Sequence, residues 1–246
     1  MALSIHTNYS SLITQTNLGK TNNALSTNQQ RLGTGLRINS AADDAAGLQI
    51  ATRLNAQSRG MDVAMRNTSD AVSLLQTAEG AFSEMTDIVQ RMKDLATQSS
   101  NGTNAQADRD ALQAEYDELG KELANIMTNT SYAGDALFGL DGATGKFGAA
   151  AVTFQIGATT AETLELDATT QSAALGTALD GLSSNYTTPG TAGTEIATAA
   201  GANTMIDTIN TALDDIGAMR AAFGANINRL NHTANNLANM KDNTDM

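Results

Sequence analysis

The strongest pattern in the chain is a pair of parallel apolar rows between residues 61 and 99. Residues three and four apart lie on the same face of a helix, so each row marks one face. Two adjacent rows predict a helix over about 56–99 with neighbours on two sides. The first row is Leu74, Ala78, Ala81, Met85, Ile88, Met92 and Leu95, and the second is Met65, Thr68, Val72, Leu75, Glu79, Phe82, Thr86 and Val89.

Two further segments show the same spacing. A turn-forming cluster at 99–104 precedes a second predicted helix, marked by Leu112, Tyr116, Leu119, Leu123 and Ile126, and a third runs from Met205 to Leu237. Three long amphipathic helices predict a mainly α fold, an elongated bundle with coiled-coil-like packing. The positions predicted to pack in its core are Leu74, Met85, Ile88, Met92, Leu112, Leu119, Ile209, Ile216 and Ile227.

The first 44 residues are much more polar. Asn, Thr, Ser and Gln dominate, and the regular apolar positions Leu18, Leu25 and Leu32 are seven apart. One apolar residue per heptad buries too little surface to offset an ordering entropy of about 1–2 kcal/mol per residue. We therefore expect an amino-terminal arm, residues 1–44, that is disordered unless another molecule covers it.

The segment between the second and third helices has a different character. Val152–Ile156 and Thr163–Leu166 alternate apolar and polar residues around Gly157, which predicts a β-hairpin near 150–166. The Gly-, Ala- and Thr-rich stretch that follows contains Pro189 and is expected to face solvent. The predicted organisation is the arm at 1–44, core helices and hairpin at 45–170, a short variable surface segment at 171–203, and a returning core helix at 204–246.

Charge and composition narrow the classes of function. The formal net charge of -12 argues against nucleic acid and anionic membranes as partners, and the absence of cysteine removes thiol chemistry. No apolar run is long enough for a membrane span. The first 30 residues lack the basic and apolar regions of a cleavable signal peptide, so an exported chain would need a dedicated route.

Catalytic and metal-binding patterns are weak. The two histidines, His6 and His232, lie in polar surroundings without carboxylates at ligand spacing. The stretch Gly139–Phe147 resembles a phosphate-binding loop, but Phe147 occupies the place of the required hydroxyl residue. Asp43 and Asp44 suit the start of a helix better than paired catalytic carboxylates. We expect no catalytic, cofactor-binding or metal-binding residues, and no enzymatic activity.

Three motifs carry a family resemblance. The stretch from Arg31 to Leu48 (RLGTGLRINSAADDAAGL), followed by Asn67–Ala71 and Gln76–Gly80, resembles the amino-terminal part of bacterial flagellin, and the similarity extends to about Leu166 and resumes over 205–237. The resemblance implies a secreted structural subunit of the bacterial flagellum, which serves motility. It would reach the filament through the flagellar type III export apparatus with a chaperone, and assemble there with copies of itself, without any cofactor.

Two departures from the family pattern bear on this expectation. The middle segment is short, which predicts a minimal outer domain. The chain also ends at Asp242–Met246, so the carboxy-terminal inner-core helix of about 40–50 residues is expected to be missing, and assembly of this chain alone is in doubt. The alternative function is that of a hook-filament junction protein or another flagellin-like secreted adaptor.

The resemblance also implies a partner outside the bacterium. Flagellins are recognised by a vertebrate Toll-like receptor through positions that match Arg91, Leu95, Gln98 and Glu115. The first three share a helix face at i, i+4 and i+7. The alternative is that Leu95 packs inside the bundle and that Arg91 and Glu115 form a surface ion pair, which stabilises by at most about 1 kcal/mol.

Overall fold

The computed structural model describes residues 9–245 and confirms a mainly α fold. Its helices are α1 (Tyr9–Thr34), α2 (Ala45–Ser99), α3 (Gln106–Asn129), α4 (Thr169–Asp180), α5 (Ser184–Thr187) and α6 (Ala199–Asp245). Its strands are β1 (Ser131–Tyr132), β2 (Asp135–Ala136), β3 (Val152–Gln155) and β4 (Thr163–Leu166). Among these residues no helix combines the length and the apolar character that crossing a membrane requires. The three long predicted helices correspond to α2, α3 and α6.

Residues 9–58 form one compact unit. Helix α1 buries no side chain there. Between α1 and α2, Asp43 accepts hydrogen bonds from the backbone of Asn39 and Ser40, and Asp44 Oδ1 accepts one from Gly47 N at 2.9 Å. Asp44 therefore caps the start of α2, as expected for an acidic residue at a helix amino terminus. The disorder predicted for the free arm stays a prediction.

Residues 59–244 form the second unit, which is built around one face of α2. Eleven buried positions follow an unbroken four-three alternation, the signature of a coiled-coil seam, and buried Leu74 and Leu95 flank it. This seam combines alternate members of the two predicted rows, because it runs between them. Its members are Ala64, Thr68, Ala71, Leu75, Ala78, Phe82, Met85, Val89, Met92, Ala96 and Ser99.

Helix α6 covers this face in antiparallel orientation. Asp62 pairs with Lys241 at 3.6 Å and Glu79 with Arg220 at 3.1 Å, so residue numbers fall on α6 as they rise on α2. The buried residues of α6 keep the same heptad spacing, which brings two long seams together. They are Ala202, Ile209, Ala212, Ile216, Met219, Phe223, Leu230 and Leu237.

Four phenylalanines close the centre of the second unit. Phe82 of α2 lies 4.8 Å from Phe138 and 5.6 Å from Phe223, measured between ring centroids, and Phe147 lies 4.8 Å from Phe223. All four rings are buried and tilted against one another, within the range that aromatic pairs prefer. The cluster therefore joins α2, α6 and the loop before the hairpin in a chain that has only five phenylalanines.

The predicted β-hairpin is present. Val152 pairs with Leu166 and Gln155 with Thr163 in an antiparallel register. A smaller hairpin, β1 with β2, was not predicted from the sequence. Its turn places Ala133 and Gly134 at positive φ, which matches a type I′ turn, and only the second of these residues adopts that conformation without steric cost.

The middle segment differs from the expectation that it faces solvent. Helix α4 and the chain after it bury large apolar side chains in the main core, since α4 packs against the loop at 139–148 and α5 packs against α3. The close approach depends on small residues: Gly176 lies against the backbone of Asp141, and Gly120 lies against Ser183. The buried residues are Leu175, Leu179, Leu182, Tyr186 and Ile196.

A polar network ties this segment to α3. Gln113 Nε2 donates to Asp117 Oδ1 and Glu195 Oε2, each at 2.7 Å, and Gln113 Oε1 accepts from Ile196 N at 2.7 Å. Glu195 Oε1 also accepts from the backbone and hydroxyl of Ser184. Burial disfavours the charge on Glu195, but these donated hydrogen bonds outweigh it and hold the pKa of that carboxyl below its usual value.

We expect Phe82→Ala to lower the free energy of unfolding by about 3–5 kcal/mol, because it removes the ring that contacts two other phenylalanines. Chemical denaturation monitored by circular dichroism measures this loss. The control is Val63→Ala, an exposed position on the same helix, which should change stability by less than about 0.5 kcal/mol. Similar losses for both variants would contradict the aromatic cluster as the centre of the unit.

We expect Glu195→Gln to destabilise the chain at neutral pH. A carboxyl whose pKa is lowered by folding stabilises the native state above its unfolded pKa, and that contribution disappears as pH falls through the folded pKa. The stability difference between wild type and variant should therefore shrink on acidification below about pH 4. Denaturation at several pH values tests this, with exposed Glu165→Gln as control; a difference independent of pH would refute it.

Candidate interaction surfaces

An ion pair on the outer side of α2 and α3 marks the first candidate surface. Arg91 donates to Glu115 Oε1 through Nε at 2.9 Å and through Nη2 at 2.6 Å. About half of each side chain is exposed. Water screens the pair, so it stabilises the fold by at most about 1 kcal/mol, and both groups stay accessible to another molecule.

The structure brings three of the four predicted receptor residues to this surface and not the fourth. Gln98 is exposed two turns along α2 from Arg91. Leu95 is fully buried, because it flanks the apolar seam and packs in the core. Of the two interpretations of Leu95, the structure agrees with the packed one, and in this conformation its side chain is not accessible to a partner.

Another arginine, Arg109, organises the turn beside this surface. Arg109 of α3 donates to three backbone carbonyls at the end of α2 and in the turn: Ser99 O at 3.0 Å, Asn101 O at 2.9 Å and Asn104 O at 2.8 Å. Sequence reasoning missed this residue. The sequence offered one indication of this role: a basic side chain near the start of a helix, directly after a loop whose carbonyl groups need hydrogen-bond donors.

The apolar side of α1 is the second candidate surface. Leu18, Leu25 and Leu32, which we call the arm seam, are 61%, 54% and 87% exposed. Farther along the same unit, Leu36, Ile38 and Leu48 line an apolar groove of about 360 Å³. Side chains of this size at heptad spacing are suited to a helical partner, which the described part of the chain does not supply.

The residues considered for catalysis in the sequence analysis are exposed, form ion pairs or allow close packing. His232 is exposed on α6, and His6 lies outside the described residues. Lys146 of the phosphate-loop-like stretch faces Asp135 at 3.4 Å, and Gly145 lies directly against the backbone of Phe138, so the glycines allow close packing. Within residues 9–245, no three His, Asp or Glu side chains are grouped to hold a metal ion.

The predicted core positions divide into two groups. Leu74, Met85, Met92, Ile209 and Ile216 are buried. Ile88, Leu112, Leu119 and Ile227 are half-buried and pack against the edge of the core. In α2 and α3 the buried position lies one residue farther along at these points: Val89 is buried beside Ile88, Gln113 beside Leu112 and Gly120 beside Leu119.

Comparison with known proteins agrees with this architecture. Residues 5–143 match the family model described as the bacterial flagellin N-terminal helical region. Polar flagellin C of Vibrio parahaemolyticus is 52% identical over 164 residues, which are 67% of this chain and 41% of that protein. The chain thus spans about two fifths of the length of the curated relatives it matches.

Two solved structures are also similar. Bacillus cereus flagellin has a TM-score of 0.55 and 32% sequence identity, covering 70% of this chain and 88% of that one. A protein described as a flagellar hook-associated protein, from Vibrio parahaemolyticus, has a TM-score of 0.61 at 13% identity, covering 84% and 97%. The second likeness shows the fold alone. Because the family model covers more than half of its residues, the chain belongs to the bacterial flagellin family.

Proposed function

We propose that this chain is a structural subunit of the bacterial flagellar filament, secreted through the flagellar type III export apparatus to serve motility. The observation that carries the proposal is the arm seam, a heptad row of leucines on a long helix that buries nothing in its own unit. In a family whose members are named flagellins, copies of the same chain are the natural partner for that row.

The energetics favour assembly as the event that orders the arm. Burying one leucine side chain contributes about 1.5–3 kcal/mol. The three leucines and the apolar groove offset part of the entropy lost by 26 helical residues, and they do so only when a partner covers them; helix hydrogen bonds and further lattice contacts would have to supply the rest. Folding of residues 1–44 would then be coupled to addition of the subunit to a growing filament, with residues 59–244 forming the more rigid core.

The alternative is a junction protein or another secreted adaptor of the same system. Its support is the fold shared with the hook-associated protein, at an identity too low to indicate function. The two roles differ in abundance, because a filament subunit makes up the filament mass while a junction protein occupies one end. Quantitative mass spectrometry of sheared filaments from the source bacterium separates them.

We further propose that the arm serves export before assembly, with a dedicated chaperone covering apolar surface in the cell. Such a chaperone would bind the apolar surface that the exposed leucines form on the helix. We propose no catalytic function and no cofactor, because the family is structural and the polar clusters of the described chain serve its folding. Nucleic acid and membranes are not proposed as partners of a chain with a net charge of -12.

A vertebrate Toll-like receptor for flagellin is a further proposed partner of the monomer. The accessible arginine and glutamate of the surface ion pair, with Gln98 two turns away, offer a charged anchor and hydrogen-bonding groups on one side of α2 and α3. Leu95 would contribute indirectly, because its packing in the core keeps α2 in position. We propose that neighbouring subunits cover the same surface in the filament.

We expect substitution of the arm seam to block filament formation without unfolding the subunit. Leu18→Asn combined with Leu25→Asn, introduced into the gene of the source bacterium, should abolish swimming and visible filaments, because the row loses its apolar character. Thr16→Asn, on the opposite face of α1, is the control and should leave motility intact. Normal filaments from the double variant would overturn the proposed role of the row.

We expect Arg91→Ala to reduce receptor activation by monomer about tenfold or more while leaving thermal stability nearly unchanged, as for a central arginine in an interface. Reporter cells expressing the receptor measure the response. Lys121→Ala, which breaks the ion pair with Glu118 on α3, is the matched control and should keep full potency. Leu95→Ala should lower stability; full potency of Arg91→Ala would remove this surface from the proposal.

A further inference from the structure

The turn between α2 and α3 contains the only Asn-Gly pair in the sequence, Asn101-Gly102. Both residues are exposed. An asparagine side-chain carbonyl carbon can be attacked by the backbone nitrogen of the next residue, which closes a five-membered imide ring. Glycine offers the least obstruction to this attack, because it has no Cβ.

A backbone hydrogen bond in the turn holds the side chain of Asn101. Thr103 N donates to Asn101 Oδ1 at 3.3 Å, which folds the side-chain amide over the following backbone. The same oxygen becomes negatively charged when its carbon is attacked. A backbone N–H directed at that oxygen therefore stabilises the developing charge, as donors do in an oxyanion hole.

The attacking nitrogen is also activated by its surroundings. Arg109 Nη2 donates to Asn101 O at 2.9 Å, and Asn104 N donates to the same oxygen at 3.3 Å. This carbonyl belongs to the peptide group that contains the Gly102 nitrogen. Withdrawal of electron density by a fixed positive charge favours loss of the proton from that nitrogen, which makes it nucleophilic.

We propose that Asn101 is a site of spontaneous deamidation promoted by the folded turn. The Gly102 nitrogen loses its proton and bonds to Asn101 Cγ, the bond from Cγ to the amide nitrogen breaks, and that nitrogen leaves with a proton as ammonia. Water then opens the imide at either carbonyl. One opening gives aspartate, and the other gives isoaspartate, in which the main chain passes through Cγ.

The isoaspartate product carries its charge on a group that Arg109 already binds. Its free carboxylate derives from the former main-chain carbonyl of residue 101, the group to which Arg109 already donates. A neutral hydrogen-bond acceptor is thereby replaced by a charged one, and charge-assisted bonds of this kind are the stronger ones. The modified chain carries one more negative charge than the -12 of the sequence, close to the exposed end of α2.

Asn104 provides an internal control in the same turn. Its side-chain nitrogen donates to Gln98 O at 2.7 Å, which holds the amide against α2, and the next residue is Ala105, whose Cβ obstructs attack. Asn101 Nδ2 has no hydrogen-bond partner within residues 9–245, so nothing there retains the leaving group. The two asparagines should therefore behave differently under identical conditions.

The test is incubation of the full chain in mildly alkaline buffer at body temperature, followed by peptide mapping with electron-transfer fragmentation, which distinguishes isoaspartate from aspartate. Residue 101 should convert mainly to isoaspartate and residue 104 should not. Gly102→Ala should slow conversion at 101 about tenfold or more, equivalent to about 1.4 kcal/mol in activation free energy. An added Cβ there meets nothing within 4 Å and the φ angle is ordinary, so this variant keeps its fold.

A second measurement separates the folded turn from the sequence motif. The same chain is incubated in concentrated urea, where the hydrogen bonds to Asn101 are lost. The proposal expects conversion in the native chain to be at least as fast as in the unfolded chain. Slower conversion in the native chain, or equal rates for wild type and Gly102→Ala, would overturn it. Neither result bears on the filament proposal, since the modification is read by mass alone.

Discussion

The seven-residue repeat along α2 is the constraint on which the second unit depends. Eleven buried positions from Ala64 to Ser99 keep the four-three alternation without interruption, and α6 supplies a matching row. Six of the eleven are alanine, threonine or serine, so small side chains line much of this row. Larger side chains are concentrated where more than two elements meet, at Phe82 and Phe223. This arrangement gives the second unit a continuous helical core although the chain has few aromatic residues.

Sequence patterning predicted the long helices well, because a heptad repeat sustained over many turns is compatible with a long helix and with almost no other backbone conformation. It predicted the buried face of α2 less well. Two overlapping rows each looked continuous, and the structure buries the line between them, where Ala78 and Met85 come from one row and Leu75 and Phe82 from the other. Choosing that line requires the positions of the neighbouring helices, and the sequence of α2 alone does not give them.

The middle segment shows a second limit of sequence reasoning. Gly, Thr and a proline suggested exposure, yet Leu179 and Tyr186 are core residues there. Their burial depends on small residues far away in the sequence, such as Gly120 beneath Ser183, and on polar side chains that meet only after folding, such as Gln113 and Glu195. The surface around Arg91 shows the same division: Arg91 and Glu115 do pair, as the sequence allowed, while the burial of Leu95 depends on the exact orientation of α2.

The ion pairs between α2 and α6 fix how the two helices align along their length. An apolar seven-residue repeat permits two helices to slide by one heptad with little loss of contact, because similar side chains meet again. Sliding by seven residues would carry Arg220 away from Glu79 and Lys241 away from Asp62, and would separate Phe82 from Phe223. These three links, spread over about 30 Å of helix, lock one longitudinal setting. The pair of helices in the second unit therefore keeps a constant length, although its apolar repeat alone would allow several.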